Sequence, residues 1–426
     1  MAKVSKKHIL LVAYYWPPAG GSGVQRWLFF VKHLVSMGHK IDVLTVSHPT
    51  ASPQDDTLLE HIPKQVQVHR MSIWEPGRGL YKYASGESLK PNLFSKFVRW
   101  VRANLFFPDA RCLWIGKGSR WIAKFINTQQ PDWLITTGPP HSVHMMGYAQ
   151  RNHPKTRWMA DFRDPWVDFF VNQALPMTPW TRKRHQKWEQ KIVQAARVVL
   201  TTTPSLKARY QKWNPQTEVL FNGFEKLHQG ALSKDFMLCY AGSLKSHQSA
   251  EVLWQAMESV ALQMPSFTQH AKVHMFGQTD PHLKNKVPHS VTEMIVWQGY
   301  QAKSVVDKAL ASARVLLFFG NDHPYSEQVI NAKIFEYMAA GRPVLALVHS
   351  HGDLSAFIQK HTLGAVFLYS EKEKFSNEDI SKHLENNNIF IHPYKEFFSE
   401  LKKFQVLNNN QNDILLIDKS SLNQNI

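Results

Sequence analysis

The sequence predicts an α/β protein of two consecutive domains, each built on a parallel sheet flanked by helices. Three observations carry that expectation. Short continuous apolar runs of buried-strand type alternate with segments of helical spacing, which is the grammar of β-α-β units with right-handed crossovers. The same grammar restarts near Phe236. The chain has 426 residues, and a single hydrophobic core stops growing at roughly 250 to 300 residues.

The first run is His8 to Ala13, followed by a Pro/Gly loop from Tyr14 to Gly23. Val24, Trp27, Leu28, Val31, Leu34 and Val35 then recur at helical spacing until Gly38, and Lys40 to Val46 reads as the second strand. Runs at Trp133 to Thr137, Arg157 to Ala160, Val198 to Thr202 and Val219 to Phe221 continue the pattern. In the second half the strands are expected at 236–241, 272–276, 294–297, 314–319 and 343–348. The polar stretch from Glu225 to Asp235 has the composition of a linker. Residues 1–228 are therefore expected as the N-terminal domain and 229–407 as the C-terminal domain, with the asparagine-rich 408–426 as a mobile polar tail.

Hydrophobic residues make up 43% of the chain, enough for two cores, and the only cysteines, Cys112 and Cys239, form no CxxC pair. Neither a disulfide scaffold nor a cysteine zinc site is expected, and a reducing, cytoplasmic setting fits. No apolar run approaches the roughly 20 residues that span a bilayer. A formal net charge of +17 calls for an anionic partner: nucleic acid, acidic lipid or a phosphorylated substrate.

Ligands of open α/β sheets bind beyond the carboxyl ends of the strands, so the segments after each strand are where chemistry is sought. The loop containing Gly20, Gly21 and Gly23 lies between strand and helix, where glycines let backbone N–H groups approach an anion at a helix N-terminus; the alternative is a tight turn that needs glycine. It is not the GxGxxG of dinucleotide enzymes, and no acidic residue follows Thr45-Val46-Ser47 to hook a ribose. The second segment, Thr136 to Ser142, ends its two prolines on His141; a metal pair with His144 lacks a third ligand. The third, Asp161-Phe162-Arg163-Asp164, sets three charges directly after a buried strand, either for chemistry or as an internal ion pair. The fourth runs from Tyr325 through Glu327 and Gln328 into a helix. There Ala332, Phe335, Met338 and Ala339 form the buried face, and Lys333, Glu336 and Ala340 lie opposite, as a ligand-facing set or a surface pair worth ~0.3 kcal/mol.

Together these segments make a specific pattern. The PPAGGSGVQRW loop, TTGPPHS, DFRDPW, TTTPSL, Phe221-Asn222-Gly223-Phe224, Tyr240-Ala241-Gly242-Ser243-Leu244 and KIFEYMAAGRPVLA span about residues 8 to 370. The chain resembles the retaining glycosyltransferases of family 4, whose GT-B fold sets two Rossmann-like domains facing across a cleft. That resemblance implies Gly20, Gly21 and Gly23 under the donor phosphates and sugar, and Glu336 on the ribose hydroxyls of a nucleotide sugar. The family's second glutamate, eight residues before Glu336, corresponds to Gln328, with Glu327 one place off. Its basic residue after the glycine opening the second domain corresponds to Ser243, with Lys245 and Lys333 as the substitutes. A histidine common in the family is replaced by the DFRD segment, leaving Asp161, Arg163, Asp164 and His141 as the catalytic candidates.

By the same resemblance, the leaving phosphate takes the acceptor proton while Lys, Arg and helix N-termini stabilise the diphosphate. No DxD triplet occurs, so no metal and no cofactor beyond the donor is expected. Ten Lys/Arg between Arg78 and Lys124 face two acids, and Leu93, Phe94, Phe97, Val98, Val101 and Leu105 form a helical stripe beside Lys96, Arg99 and Arg102. This pattern suits an anionic membrane surface, and an ordinary helix packed on its own domain is the other reading. The expectation is a peripheral enzyme on the inner membrane face that transfers sugar to a lipid-linked or polysaccharide acceptor. A sugar-nucleotide epimerase of similar fold lacks need of that basic surface, and a nucleic-acid-binding protein would leave the ordered loops unexplained.

Overall fold

The computed structural model describes residues 5–49, 54–75, 93–168, 175–224, 227–228, 230–246, 248, 250–263, 269–323, 326 and 328–370. The chain divides into two compact units, Met1–Asn222 and Gly223–Ile426. The expected tail, 408–426, lies outside the described residues.

In the first unit the elements run β1 (His8–Ala13), α1 (Ser22–Ser36), β2 (Lys40–Val46), β3 (Gln67–Met71), α2 (Leu93–Leu105), α3 (Leu113–Gln129), β4 (Trp133–Gly138), α4 (Ser142–Ala149), β5 (Arg157–Phe162), α5 (Pro179–Ala195), β6 (Val198–Thr201), α6 (Pro204–Gln211) and β7 (Thr217–Val219). All seven strands pair in parallel in the order β3-β2-β1-β4-β5-β6-β7. The direction of winding reverses between β1 and β4, which makes their carboxyl ends the switch point of the sheet.

The apolar spacing read from the sequence is what buries α1: Val24, Trp27, Leu28, Val31 and Leu34 are in the core. Gly38, at φ 85°, turns the chain so that the His39 N–H returns to the Leu34 carbonyl at 3.1 Å, a left-handed step that costs glycine nothing. One strand of this unit was absent from the sequence expectation. β3 is an edge strand with a largely half-buried pattern, so it shows no continuous apolar run. The last strand of the first unit is at Thr217–Val219 rather than 219–221, in register with Val199–Thr201 of β6.

The second unit runs β8 (Phe236–Ala241), α7 (Glu251–Gln263), β9 (Ala271–Phe276), α8 (Pro281–Lys284), β10 (Ile295–Gly299), α9 (Lys303–Ser312), β11 (Val315–Phe319), α10 (Lys333–Ala340), β12 (Val344–Val348), α11 (Asp353–Lys360) and β13 (Gly364–Leu368). Its six parallel strands order as β10-β9-β8-β11-β12-β13, with the switch between β8 and β11. β13, half-buried throughout, is the other edge strand absent from the expectation. The two sheets make this a mixed α/β protein of the expected class.

Candidate functional site

At the first switch point, the loop after β1 closes as a turn, with Ala19 N–H on Trp16 O at 3.0 Å. Gly21 then caps α1 at φ 97°, with no side-chain cap and no acid in the first turn. The helix therefore presents its partial positive end undiluted by protein carboxylates. Gly23 has a second reason to be glycine: a Cβ there would lie 1.7 Å from a terminal nitrogen of Arg163. The Arg163 guanidinium thus occupies the space beside the first turn of α1. Its Nε donates to Gly138 O at 3.1 Å and its terminal nitrogen to Pro139 O, so the glycine loop, the loop after β4 and the end of β5 are joined by one side chain.

Asp161 behaves differently from a residue on a free loop. It lies inside β5, in register with Thr137 of β4, and is wholly buried. Its carboxylate accepts from Arg26 Nη2 at 2.9 Å, Trp27 Nε1 at 2.7 Å and Thr137 Oγ1 at 2.8 Å. Burial alone would raise its pKa, but the Arg26 charge and these hydrogen bonds hold it below the ordinary carboxylate value. Asp164 is the contrast. It is half-buried, no hydrogen bond to its side chain is found among the described residues, and burial pushes its pKa up against the pull of Arg163.

His141 follows Pro140 at the entry to α4 and stacks on Trp166, with ring centroids 4.6 Å apart and planes 5° from parallel. Trp166 is itself fixed from behind, its Nε1 donating to His185 Nδ1 at 2.9 Å and its backbone N–H to Glu189 at 3.2 Å. Burial, then the neighbouring His144 and His185, holds His141 well below the ordinary histidine pKa, so its imidazole is neutral. His144 points inward, bonded to Thr136 at 2.9 Å and lowered to about 3 by burial; it is core rather than ligand.

At the second switch point the chain leaves β8 through Gly242, at φ 137°. Lys333 of α10 lies over this turn: a Cβ on Gly242 would meet its Nζ at 2.2 Å. The same Nζ donates to Tyr240 Oη at 2.8 Å and sits 4.5 Å from that ring's centre. Burial, opposed by Glu336 and reinforced by Lys245, lowers Lys333 from 10.5 to about 8. Glu336 is one helical turn on, 3.8 Å from Lys303, and its pKa is raised by burial against the attraction of Lys303. Ser243 and Lys245 are exposed on the loop beyond Gly242, and Gln328 is half-buried ahead of α10. Glu327 lies outside the described residues.

The buried face of α10 is wider than its sequence spacing suggests. Ile334 and Tyr337 join Phe335, Met338 and Ala339, and Ala340, expected opposite, is buried too. Tyr337 explains the orientation, since its hydroxyl accepts from Ala241 N–H at 3.1 Å and donates to Leu317 O at 2.8 Å. That bridge locks α10 against β8 and β11 and leaves Lys333 and Glu336 half-exposed. Beside them, beyond β11 and β12, is a recess lined in part by Gly320, Asn321, Ser326, Asn331 and His349.

Three contributors were not legible in the sequence. Arg26 and Trp27 sit in a helix whose periodicity marks one as surface and the other as core, and both turn out to bond Asp161. Tyr240 reads as a strand residue, yet its hydroxyl orients Lys333. Among the described residues no group of three or more His, Cys, Asp or Glu could hold a metal ion, and no helix is long and apolar enough to cross a membrane.

Residues 235–386 match the family described as glycosyl transferases group 1. No curated protein matches the chain. Among solved structures, TarM from S. aureus in complex with Fondaparinux, alpha-GlcNAc-glycerol and UDP is similar over 95% of this chain and 100% of its own, at 11% identity and TM-score 0.58. WaaG, a glycosyltransferase involved in lipopolysaccharide biosynthesis, is similar over 91% and 98%, at 14% identity and TM-score 0.51. A putative UDP-N-acetylglucosamine 2-epimerase from Listeria monocytogenes is similar over 97% and 100%, at 13% identity and TM-score 0.53. These likenesses establish the fold, the GT-B class, and do not separate transferase from epimerase. The group 1 match supports a glycosyltransferase.

Proposed function

We propose that the chain is a retaining glycosyltransferase that moves a sugar from a nucleotide-sugar donor to a lipid-linked or polysaccharide acceptor in cell-surface glycan synthesis. The observation that carries the donor site is the arrangement of Lys333 over the Gly242 turn, held by Tyr240, with Glu336 one turn along the same helix. An ammonium half-buried beside a glycine turn, with backbone N–H groups and the start of a helix adjacent, is a site for a diphosphate. Glu336, turned outward, is placed to accept from the vicinal hydroxyls of a ribose. Lys245 and Ser243, exposed on the neighbouring loop, add donors.

In this reading the N-terminal unit supplies the acceptor side. Arg163, lodged against Gly23, brings a fixed cation to the glycine loop; the half-buried Asp164, whose carboxyl makes no hydrogen bond among the described residues, is the group assigned to the acceptor hydroxyl, with the buried, neutral His141 behind it. Asp161 acts through Arg26 and Trp27, as a positioning residue. As the donor's anomeric bond loosens, the leaving diphosphate gains charge that Lys333 and the start of α10 stabilise without reorganising, and a phosphate oxygen takes the acceptor proton on the same face.

The exposed apolar side chains of α2, among them Phe94, Phe97 and Leu105, support the membrane reading of that helix over one packed on its own domain. Of the same fold, WaaG is described as a glycosyltransferase involved in lipopolysaccharide biosynthesis, and TarM is in complex with alpha-GlcNAc-glycerol and UDP. The test is a thermal-shift screen against UDP, GDP, ADP, CMP and their sugars, comparing wild type with Glu336→Ala. A nucleotide at roughly 100 times its dissociation constant adds about 2.7 kcal/mol, and the shift should vanish in the variant. No shift with any nucleotide defeats the donor site; product with inverted anomeric configuration defeats the retaining mechanism.

A further inference from the structure

The basic patch read from the sequence ends at Lys124, but the structure shows a second one on α5. Trp180, Lys183, Arg184, Lys187 and Lys191 recur at positions i, i+3, i+4, i+7 and i+11, so they share one helical face, and all five are exposed. That face carries no acid: the helix's sole carboxylate, Glu189, is buried on the other side, bonded to Tyr210 and Arg209. Trp180 heads the stripe with 68% of its surface in water. The first turn of α5 contains no acidic residue, so cations are stacked on the positive end of the helix dipole, an arrangement that costs folding energy. A cost of this kind, concentrated on one face and headed by an exposed tryptophan, points to a partner that is anionic and apolar at once.

The face is continuous with α2. Asn104, near the end of α2, donates to Pro176 O at 2.9 Å and accepts from Thr178 N–H at 2.8 Å and Thr181 Oγ1 at 2.9 Å. Thr178 is the N-cap of α5, so these bonds bring the exposed Leu105 of α2 to the turn that carries Trp180. Arg184 lies over the Phe107 ring at 4.0 Å and 5.6 Å from the Trp180 ring centre, which braces the indole rather than burying it.

We infer that α2 and the Trp180–Lys191 face of α5 form one membrane-docking surface, in which Trp180 enters the headgroup layer and Lys183, Lys187 and Lys191 contact anionic lipid. This rests on the reading of the N-terminal unit as the membrane-facing one and names the element that carries the charge. Exposed tryptophan beside lysine is the chemistry of the bilayer interface. A bare polyanion such as RNA would use the cations and leave Phe97, Leu105 and Trp180 in water, and so the aromatic and aliphatic exposure favours lipid.

The test is co-sedimentation of the full chain with vesicles of phosphatidylcholine alone or doped with phosphatidylglycerol. The variants are Trp180→Ala, Lys183→Gln with Lys187→Gln, Phe97→Ser on α2, and Lys40→Gln at the amino edge of the sheet as a control for charge alone. Thermal melting is run on each to show that the fold is intact. Wild type should sediment with the doped vesicles. Trp180→Ala should weaken partition roughly tenfold, each lysine neutralised about fivefold, and Lys40→Gln not at all. If the α5 variants partition like wild type while Phe97→Ser does not, α5 is not part of the surface and the α2 reading survives. Wild type that ignores anionic vesicles overturns both, and tighter retention of single-stranded RNA than of vesicles at physiological salt overturns the choice of lipid.

Discussion

The two switch points carry similar charge in opposite states. At the end of β5, Asp161 is buried and saturated by Arg26, Trp27 and Thr137. At the end of β8, Lys333 and Glu336 are half-exposed, and Lys333 has a tyrosine hydroxyl where a counter-ion could be. The first arrangement uses charge to hold α1 and its glycine loop against the sheet. The second leaves charge under-compensated at a surface, which is the condition for binding an anion. Strand order about the switch point is the same in both sheets, the first having one strand more; what differs is whether the protein or a ligand completes the electrostatics.

The largest effect that would test this contrast is Asp161→Ala. Removing Asp161 leaves Arg26, itself 3% exposed, without its counter-ion, with Asn222 Oδ1 and the Phe30 ring as its remaining partners among the described residues, and should cost about 3 to 5 kcal/mol of stability, read as a lower urea midpoint for the N-terminal unit. A cost below about 1 kcal/mol would mean that Asp161 is not the anchor described. Gly23→Ala should cost about 100-fold in turnover with little change in melting temperature, because the new methyl group displaces Arg163 by the scale of an ångström. Unchanged turnover would remove Arg163 from the site.

Lys333 gives the pH test. Burial lowers it to about 8, so between that value and its unfolded value near 10.5 the unfolded chain binds the extra proton, and stability of the unliganded protein rises with pH across this window. Nucleotide binding has the opposite sign. It needs the ammonium, so affinity for UDP or whichever nucleotide binds should fall by about tenfold as pH climbs through about 8. Lys333→Met should bind about tenfold more weakly and lose that pH dependence; a variant that keeps it assigns the titration elsewhere. The smallest effect is expected from Lys303→Ala. Lys303 is 56% exposed at 3.8 Å from Glu336, and its loss should change stability by about 0.5 kcal/mol or less, measured by the same urea titration.

Much of these two regions is legible in the amino-acid sequence. Gly23, Arg163, Gly242, Lys333 and Glu336 all stand out by their places after strands or at helix starts, since a glycine between a buried run and a helix has few other uses. The α5 stripe does not stand out, because its residues read as an ordinary solvated helix: a wheel of Lys and Arg is unremarkable until one face is seen to hold Trp180 and no acid. The edge strand β3, QVHRM, is hidden because it carries no continuous apolar run, whereas β13, GAVFL, is a continuous apolar run that the sequence expectation passed over.

Local sequence by itself determined what depends on neighbours a few residues away. Apolar period and punctuating glycines set the alternation of strands and helices, the restart near Phe236 and the loops at the carboxyl ends. Only the tertiary structure decided which charges are scaffold and which are available, because that depends on residues distant in the chain. Arg26 meets Asp161 across 135 positions, Lys333 meets Tyr240 across 93, and Asn104 ties α2 to α5 across 74. Burial and pairing set the electrostatic state of a side chain, and both are properties of the folded neighbourhood rather than of the residue.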